Sequence, residues 1–267
     1  MSLRLTPTFR DRLAAASRPL IGMWACTGSP VMAEIDAGSG LDWLLIDMEH
    51  SANSLQSVLV QLQVVAAYPI TPLVRERWGD LVEIKQVLDL GAQNLLVPMV
   101  SSADEARAAV AATRYPPAGV RGVGSALARS ARWNRVDGYL GDGASHVSLT
   151  VQVETAAAVE HAAEIAAVDG IDAVFVGPSD LAASMGHLGA QGHPEVTAAV
   201  HRTFAAVKAA GKPVGVNAFD PAVAQGYIEA GADFVAVGAD VAMLARASEA
   251  LAARFIPESD RAQRDSY

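Results

Sequence analysis

Ser148-Leu149-Thr150-Val151-Gln152-Val153-Glu154 reads as a β-strand whose two faces differ. A parallel strand buried on both faces runs as continuous Val, Ile and Leu. Because side chains alternate along a strand, Thr150, Gln152 and Glu154 here share one face, and Leu149, Val151 and Val153 share the other. Gln and Glu are costly to bury without partners, so their face is expected to line a solvated or liganded cavity. The next apolar run, Val174-Phe175-Val176-Gly177-Pro178-Ser179-Asp180, also ends in a carboxylate. Two acids at the ends of successive strands make a candidate divalent-metal site.

Apolar runs of similar length recur outward from this stretch in both directions. Strands are expected over 19–24, 43–48, 71–75, 94–99, 147–154, 173–177, 213–217 and 234–238. Helical patterns follow them at 30–38, 54–67, 79–89, 102–113, 155–167, 194–210, 220–229 and 240–254. Leu90-Gly91 and Ala230-Gly231 look like glycine-closed helix ends. Asp220-Pro221 looks like an N-cap followed by proline in the first turn. Eight strand–helix units predict an α/β fold, a (β/α)8 TIM barrel, as one domain over residues 1–267. An open doubly wound sheet would want a glycine-rich fingerprint after its first strand, and Trp24-Ala25-Cys26-Thr27-Gly28-Ser29-Pro30 does not supply one. The irregular part, rich in Gly, Arg and Pro, is 114–144.

Composition bounds the class. The chain is 51% hydrophobic but only 6% aromatic, so a core of Ala, Val and Leu is expected. A net charge of −9 argues against a nucleic-acid surface. The lone cysteine, Cys26, permits no intramolecular disulfide, and a cytoplasmic protein is expected. No apolar run reaches the roughly 20 residues that span a bilayer, so no membrane partner is expected.

In a barrel of this kind, active sites sit where strands end. Those ends carry Asp47, Glu49 and His50, then Arg75 and Glu76, Pro98, Glu154, Asp180 and Asn217. Glu154 and Asp180 are hard oxygen donors suited to Mg²⁺ or Mn²⁺, or each caps the helix it precedes. Arg75 is either a clamp for a carboxylate or enolate or a structural ion-pair partner of Asp47 or Glu49. His50 is either a general base or an ordinary loop histidine. Lysine separates two mechanisms. Lys85 and Lys208 fall in expected helices and Lys212 precedes a strand, so none is placed to form a Schiff base. Carbanion chemistry would then need a metal as electron sink. Cys26 reads as a packing residue.

Several stretches together resemble the HpcH/HpaI aldolase family: Ile46-Asp47-Met48-Glu49-His50, residues 91–99, residues 114–124, Val151-Gln152-Val153-Glu154-Thr155 and Phe175-Val176-Gly177-Pro178-Ser179-Asp180-Leu181. The likeness runs from about residue 10 to 256. It implies a metal-dependent (class II) pyruvate aldolase on a (β/α)8 barrel, assembled as a homo-hexamer, a trimer of dimers, with an exchanged C-terminal helix. By the same resemblance, Glu154 and Asp180 would be the metal ligands and His50 the acid/base. Arg75 would stabilise the enolate, with Asp47 among the catalytic residues. Gln152, Gly177, Pro178, Ser179 and Asp180 would bind the 2-oxo acid, and Asp89 would raise the basicity of the histidine. Asp89 lies in the last turn of an expected helix, where it opposes the dipole and wants a compensating cation. That end of the helix is remote from its own barrel mouth, so contact with a His50 would come from a neighbouring subunit. Asn217-Ala218-Phe219 departs from the aliphatic residue expected near Asn217.

The expected function is reversible cleavage of 4-hydroxy-2-oxo acids to pyruvate, or a substituted pyruvate such as hydroxypyruvate, plus an aldehyde. The expected cofactor is a divalent metal (Mg²⁺, Mn²⁺ or Co²⁺), with no organic cofactor. The partners are then small-molecule 2-oxo acids and aldehydes. A CoA-thioester lyase of the citryl- or malyl-CoA type is the alternative within the superfamily, and it would need a basic, adenine-accepting surface that the sequence does not display. A metal-stabilised, non-catalytic barrel is the alternative outside enzymes. The joint presence of Gln152, Glu154, Asp180, Arg75 and His50 argues against it.

Overall fold

Eight parallel strands pair in chain order and close on themselves, the first against the last. The computed structural model describes residues 3–257. Its elements run α1 (Phe9–Ala15), β1 (Leu20–Ala25), α2 (Pro30–Ala37), β2 (Trp43–Asp47), α3 (Leu55–Val65), β3 (Thr71–Arg75), α4 (Leu81–Asp89), β4 (Asn94–Val97) and α5 (Ala103–Thr113). They continue with β5 (Ser148–Val153), α6 (Ala156–Glu160), α7 (Ala162–Ala166), β6 (Ala173–Val176), α8 (Pro178–Ser184), α9 (Pro194–Ala209), β7 (Val214–Asn217), α10 (Pro221–Glu229), β8 (Phe234–Ala239) and α11 (Asp240–Phe255). This is the (β/α)8 barrel that the periodicity predicts.

Strand parity sorts the side chains into two cores. Leu44 and Ile46 of β2 and Leu149, Val151 and Val153 of β5 face the surrounding helices, in a core that also holds Ala33, Ala106 and Ala199. Trp43, Leu45, Leu73 and Leu96 face inward. Asp47 has the parity of Trp43 and Leu45, and Arg75 that of Leu73, so both charged groups are carried into the barrel. The β2–β3 register sets Asp47 directly opposite Arg75.

The interior differs from the Ala, Val and Leu core expected from composition. Phe9, Trp43, Phe175 and Phe234 pack there with ring centroids 5.2 to 6.4 Å apart. A barrel lumen has to be filled from few positions, and the scarce aromatics are concentrated in it. Glycine opposite two of the rings provides the room. A Cβ at Gly22 would stand 2.2 Å from the Trp43 ring, and one at Gly215 would stand 2.4 Å from that of Phe234. Phe9 belongs to α1, an unanticipated helix that closes the bottom of the barrel. Its start is built by a Thr8–Asp11 capping box, and the Phe9 N–H donates to Asn94 Oδ1 at 2.6 Å.

Two further departures lie near the mouth. The helix expected over 155–167 is interrupted at His161, whose backbone leaves helical geometry and whose Nδ1 lies 3.0 Å from the Ser101 carbonyl oxygen. Pro178 starts the short α8 directly after β6, in the position where its missing N–H costs nothing. The glycine-closed ends of α4 and α10 are present, with Gly91 and Gly231 at φ of 93° and 100°.

Glu76, just after β3, is fully buried, and neither carboxyl oxygen has a hydrogen-bond partner. Burial, reinforced by Glu83, raises its carboxyl well above the ordinary range. The folded state therefore keeps a proton that the unfolded chain releases. The resulting stability is complete below the ordinary carboxylate range and is lost as pH rises towards the folded value. Glu76→Gln should accordingly gain in thermal midpoint over the parent as pH goes from about 5 to about 8. Parallel melts of the two proteins across that window check this; equal pH slopes would refute it.

Candidate active site

The C-terminal strand ends enclose a cavity of about 260 Å³, lined by Asp47, His50, Arg75, Gln152, Gly177, Pro178, Ser179 and Asp180 together with Trp24, Cys26, Phe175, Asn217, Phe219 and Ala239. Eight of the ten residues expected at the site thus share one cavity. Glu154 lies directly behind, joined to Gln152, whose Nε2 donates to Glu154 Oε2. Asp89 is elsewhere. A larger cavity, about 620 Å³, opens among Leu3–Thr8, Asp137 and His146, without comparable convergence of acids and bases.

Arg75 organises one side of the cavity. Its Nε donates to Asp47 Oδ1 at 2.7 Å and its Nη2 to Asp47 Oδ2 at 2.9 Å. Nη1 stands 2.8 Å from Glu49 Oε2. The guanidinium carbon lies 4.2 Å from the centroid of the Trp24 ring, and Trp24 Nε1 is anchored on Asn217 Oδ1 at 2.8 Å. The ion-pair reading of Arg75 and the clamp reading are therefore compatible. A guanidinium carries five N–H groups; two donate to Asp47, Nη1 makes an ion-pair contact with Glu49 that is not a hydrogen bond, and N–H groups are left for a ligand oxygen. Asp47 also fixes the turn that follows, accepting from the Glu49 N–H at 3.0 Å and the His50 N–H at 3.2 Å. His50 then stands on the rim, its side chain 64% exposed and Nε2 3.9 Å from Glu49 Oε1.

The opposite side is acidic. Glu154 is 1% exposed, and its Oε1 accepts from the Met99 N–H at 2.8 Å. Burial pushes its carboxyl up to about 7; the Met99 bond opposes this, and the charges of Glu49 and Asp180 add to it. Burial also raises Glu49, against the pull of Arg75. Asp180, itself exposed, sits in the first turn of α8 between the buried Pro178 and Leu181. Close approach at Gly177 depends on the missing side chain, since a Cβ would lie 2.5 Å from Glu154 Oε2.

A divalent cation fits this donor set on three observations. Oxygen ligands from Glu154 and Asp180 suit Mg²⁺ or Mn²⁺. The carboxyl that would ligate is raised first by burial and then by neighbouring acids, whose charge a cation would neutralise. Gln152 Oε1 is buried, with no hydrogen-bond partner.

Asp89 ends α4 at the other face of the barrel, where Arg121 supplies the cation its position wants. Arg121 is fully buried, its Nη2 is 3.6 Å from Asp89 Oδ1, and its guanidinium lies 4.7 Å from the Tyr115 ring centroid. Within one chain, Asp89 does not reach His50.

Three contributors carry no sequence signal, and a fourth has a larger part than expected. Glu49, expected at a strand end and as a possible partner of Arg75, stands beside Nη1 and also raises Glu154. Trp24 under Arg75 carried no signal, because its strand reads as uniformly apolar. Met99 presents its N–H to Glu154 from a left-handed φ of 58°, which no motif announces. Asp240 accepts from the Cys26 N–H at 2.8 Å and the Thr27 N–H at 3.0 Å, holding the β1 loop. Cys26 is a packing residue, as expected: burial, then Asp47 and Asp240, lift its thiol to about 12.

Comparison with known proteins agrees with this geometry. Residues 20–247 match the family described as HpcH/HpaI aldolase/citrate lyase. The 4-hydroxy-2-oxo-heptane-1,7-dioate aldolase of Salmonella dublin is 55% identical over 252 residues, covering 94% of this chain and 95% of that protein. Its counterpart in Salmonella heidelberg is 56% identical over 247 residues, covering 92% and 94%. Among solved structures, an HpcH/HpaI aldolase/citrate lyase family protein from Burkholderia cenocepacia superposes with a TM-score of 0.88 at 42% identity, over 92% of this chain and 98% of that one. The HpcH/HpaI aldolase from Desulfitobacterium hafniense gives 0.84 at 26% identity, over 96% and 100%. The barrel, the strand-end cavity and these full-length likenesses place this chain in the HpcH/HpaI aldolase/citrate lyase family.

Proposed function

We propose that this carbon–carbon lyase cleaves 4-hydroxy-2-oxo acids to pyruvate, or a substituted pyruvate such as hydroxypyruvate, plus an aldehyde. The first substrate to test is 4-hydroxy-2-oxo-heptane-1,7-dioate, named for the relatives above. The observation that carries the reading is the pairing of a buried Arg75 with an acidic wall at one barrel mouth, away from every lysine. Lys85 is in α4 and Lys208 in α9, while Lys212 donates to the Ile171 carbonyl below β7.

Glu154 and Asp180 would hold Mg²⁺, Mn²⁺ or Co²⁺, which would supply Lewis acidity for the ketone and carboxylate oxygens of the 2-oxo acid. His50, on the rim, takes the proton of the C4 hydroxyl. The C3–C4 bond then breaks, releasing the aldehyde, and its electron pair becomes the enolate of pyruvate. Arg75 presents its remaining N–H groups to the enolate oxygen, while Asp47 and Glu49 fix its plane. Gln152 and the Gly177-Pro178-Ser179 backbone position the 2-oxo acid. In synthesis the order reverses, with His50 removing a proton from the donor methyl. A coupled assay should find pyruvate released from 4-hydroxy-2-oxo-heptane-1,7-dioate, abolished by EDTA and restored by Mg²⁺, Mn²⁺ or Co²⁺. Borohydride added with pyruvate should trap no adduct; a reduced lysine adduct would end the class II assignment.

The assembly belongs to the same proposal: a cytoplasmic homo-hexamer, a trimer of dimers that exchanges α11. Of this 16-residue helix only Asp240 is buried, while Met243, Leu244, Leu251 and Phe255 are exposed. A helix gains most of its stability by burying an apolar face, so α11 wants a surface beyond its own barrel. Asp89 is assigned to the His50 of a neighbouring subunit. A nearby carboxylate favours the imidazolium, so Asp89→Asn should lower the pKa of His50. The limb of the pH–rate profile that reports deprotonation of the base then moves to lower pH, and the maximal rate falls because the base is weaker. An unshifted profile with an active monomer would place the whole site within one subunit.

A further inference from the structure

Between α8 and α9 the chain crosses the mouth end of the barrel on a segment with little to pack. Gly186 and Gly189 take positive φ of 83° and 77°, and Leu188 is 85% exposed. The segment is shaped by backbone bonds from His187 N–H to the Ala182 carbonyl (2.7 Å), Ala190 N–H to that of His187 (2.8 Å) and His193 N–H to that of Ala190 (2.9 Å). These turns stack the imidazoles of His187 and His193, with centroids 3.7 Å apart and planes 17° apart. Glu195 joins them from the first turn of α9, its Oε2 3.1 Å from His187 Nε2. One donor atom from each of His187, His193 and Glu195 lies within 4.8 Å of the other two. No other three side chains of metal-ligating type converge so closely among the described residues.

We propose that His187, His193 and Glu195 bind a transition-metal ion of the Zn²⁺ class and that this ion clips the α8–α9 segment. Two imidazole nitrogens and a carboxylate oxygen suit Zn²⁺, Ni²⁺ or Cu²⁺, whereas Mg²⁺ prefers an all-oxygen shell. The site is thus chemically distinct from the hard-oxygen pair Glu154 and Asp180. Donor atoms around tetrahedral zinc stand about 3.3 Å apart, so these must draw together. The Glu195 side chain, 70% exposed, is free to turn for this. His193 Nδ1 now accepts from the Glu195 N–H at 3.3 Å, a long cap bond that ligation through Nδ1 would replace. Water completes the shell. The clip would act at the mouth through Gln191, whose Oε1 accepts from Ser179 Oγ at 2.7 Å beside Asp180.

The test uses the full-length protein with Mg²⁺ in excess, so that hard-oxygen sites are filled. The double variant His187→Gln/His193→Asn is the control, asparagine being a good N-cap that preserves the start of α9. Calorimetric titration should find one Zn²⁺ per chain, with affinity lower by at least about 100-fold in the variant. Cu²⁺ bound to the parent should show two imidazole-nitrogen couplings by electron paramagnetic resonance, absent from the variant. Amide exchange over 186–193 should slow with Zn²⁺ in the parent alone. Matching circular dichroism and metal-free melting midpoints establish that the variant is folded. Equal Zn²⁺ affinity in the folded variant, or Cu²⁺ with oxygen-only ligands in the parent, would overturn the proposal.

Discussion

Arg75→Lys is expected to lower kcat by about 10²-fold or more, the scale of losing one oxyanion stabiliser, while metal affinity changes little. Lysine keeps the charge, but it cannot hold Asp47 through two parallel bonds while also pairing with Glu49 and standing over the Trp24 ring. An ammonium in that space would collapse onto Asp47, leaving the cavity without a planar donor facing the enolate oxygen. The wall at Glu154 and Asp180 belongs to other strands, so metal binding should survive. Steady-state turnover with a parallel metal titration separates the two effects. Near-normal turnover would reduce Arg75 to a structural ion-pair partner.

Glu154→Gln should cost more, about 10³-fold in turnover, because several kcal/mol of charge stabilisation depend on holding the cation. It carries a pH signature of its own. With the Glu154 carboxyl at about 7, metal must displace a proton below that pH. Apparent metal affinity in the parent should therefore fall roughly tenfold per pH unit below about 7 and level off above it. In Glu154→Gln no proton is released, so this slope should vanish along with most of the affinity. Calorimetric Mn²⁺ titrations between about pH 5.5 and about pH 8 test both. A variant that binds Mn²⁺ as tightly as the parent would remove Glu154 from the metal site.

Much of this architecture is local in origin and was therefore legible in the chain. Period-two alternation is a property of a strand by itself, so Thr150, Gln152 and Glu154 could be assigned to one face before any partner strand was known. Helix ends at Gly91 and Gly231 and the Asp220-Pro221 start are equally local, depending on backbone conformations that few residues tolerate. Repetition of these units then implied a closed barrel, and closure implied a mouth. The resemblance carried by Ile46–His50 and Val151–Thr155 added chemistry that spacing alone left open between ligands and helix caps.

What only the tertiary structure decided is which groups meet across the barrel. Closure brings together residues far apart in sequence: Trp24 with Arg75 and Asn217, Met99 with Glu154, Phe9 with Asn94 and Phe234. None of these pairs has a sequence signal, because strand register and the side chains filling the lumen set them, and both are properties of the assembled sheet. Register placed Asp47 opposite Arg75 and so made the ion pair, which leaves the proposed clamp role open to the same guanidinium. The interior shows the same division. Composition gave the right inventory for the helix-facing core, but only packing inside the closed barrel directed five of the few aromatics to its interior, with Gly22 and Gly215 making room. The chain by itself determined the fold and which strand ends carry the candidate site residues; long-range closure decided the partners that hold each group in place.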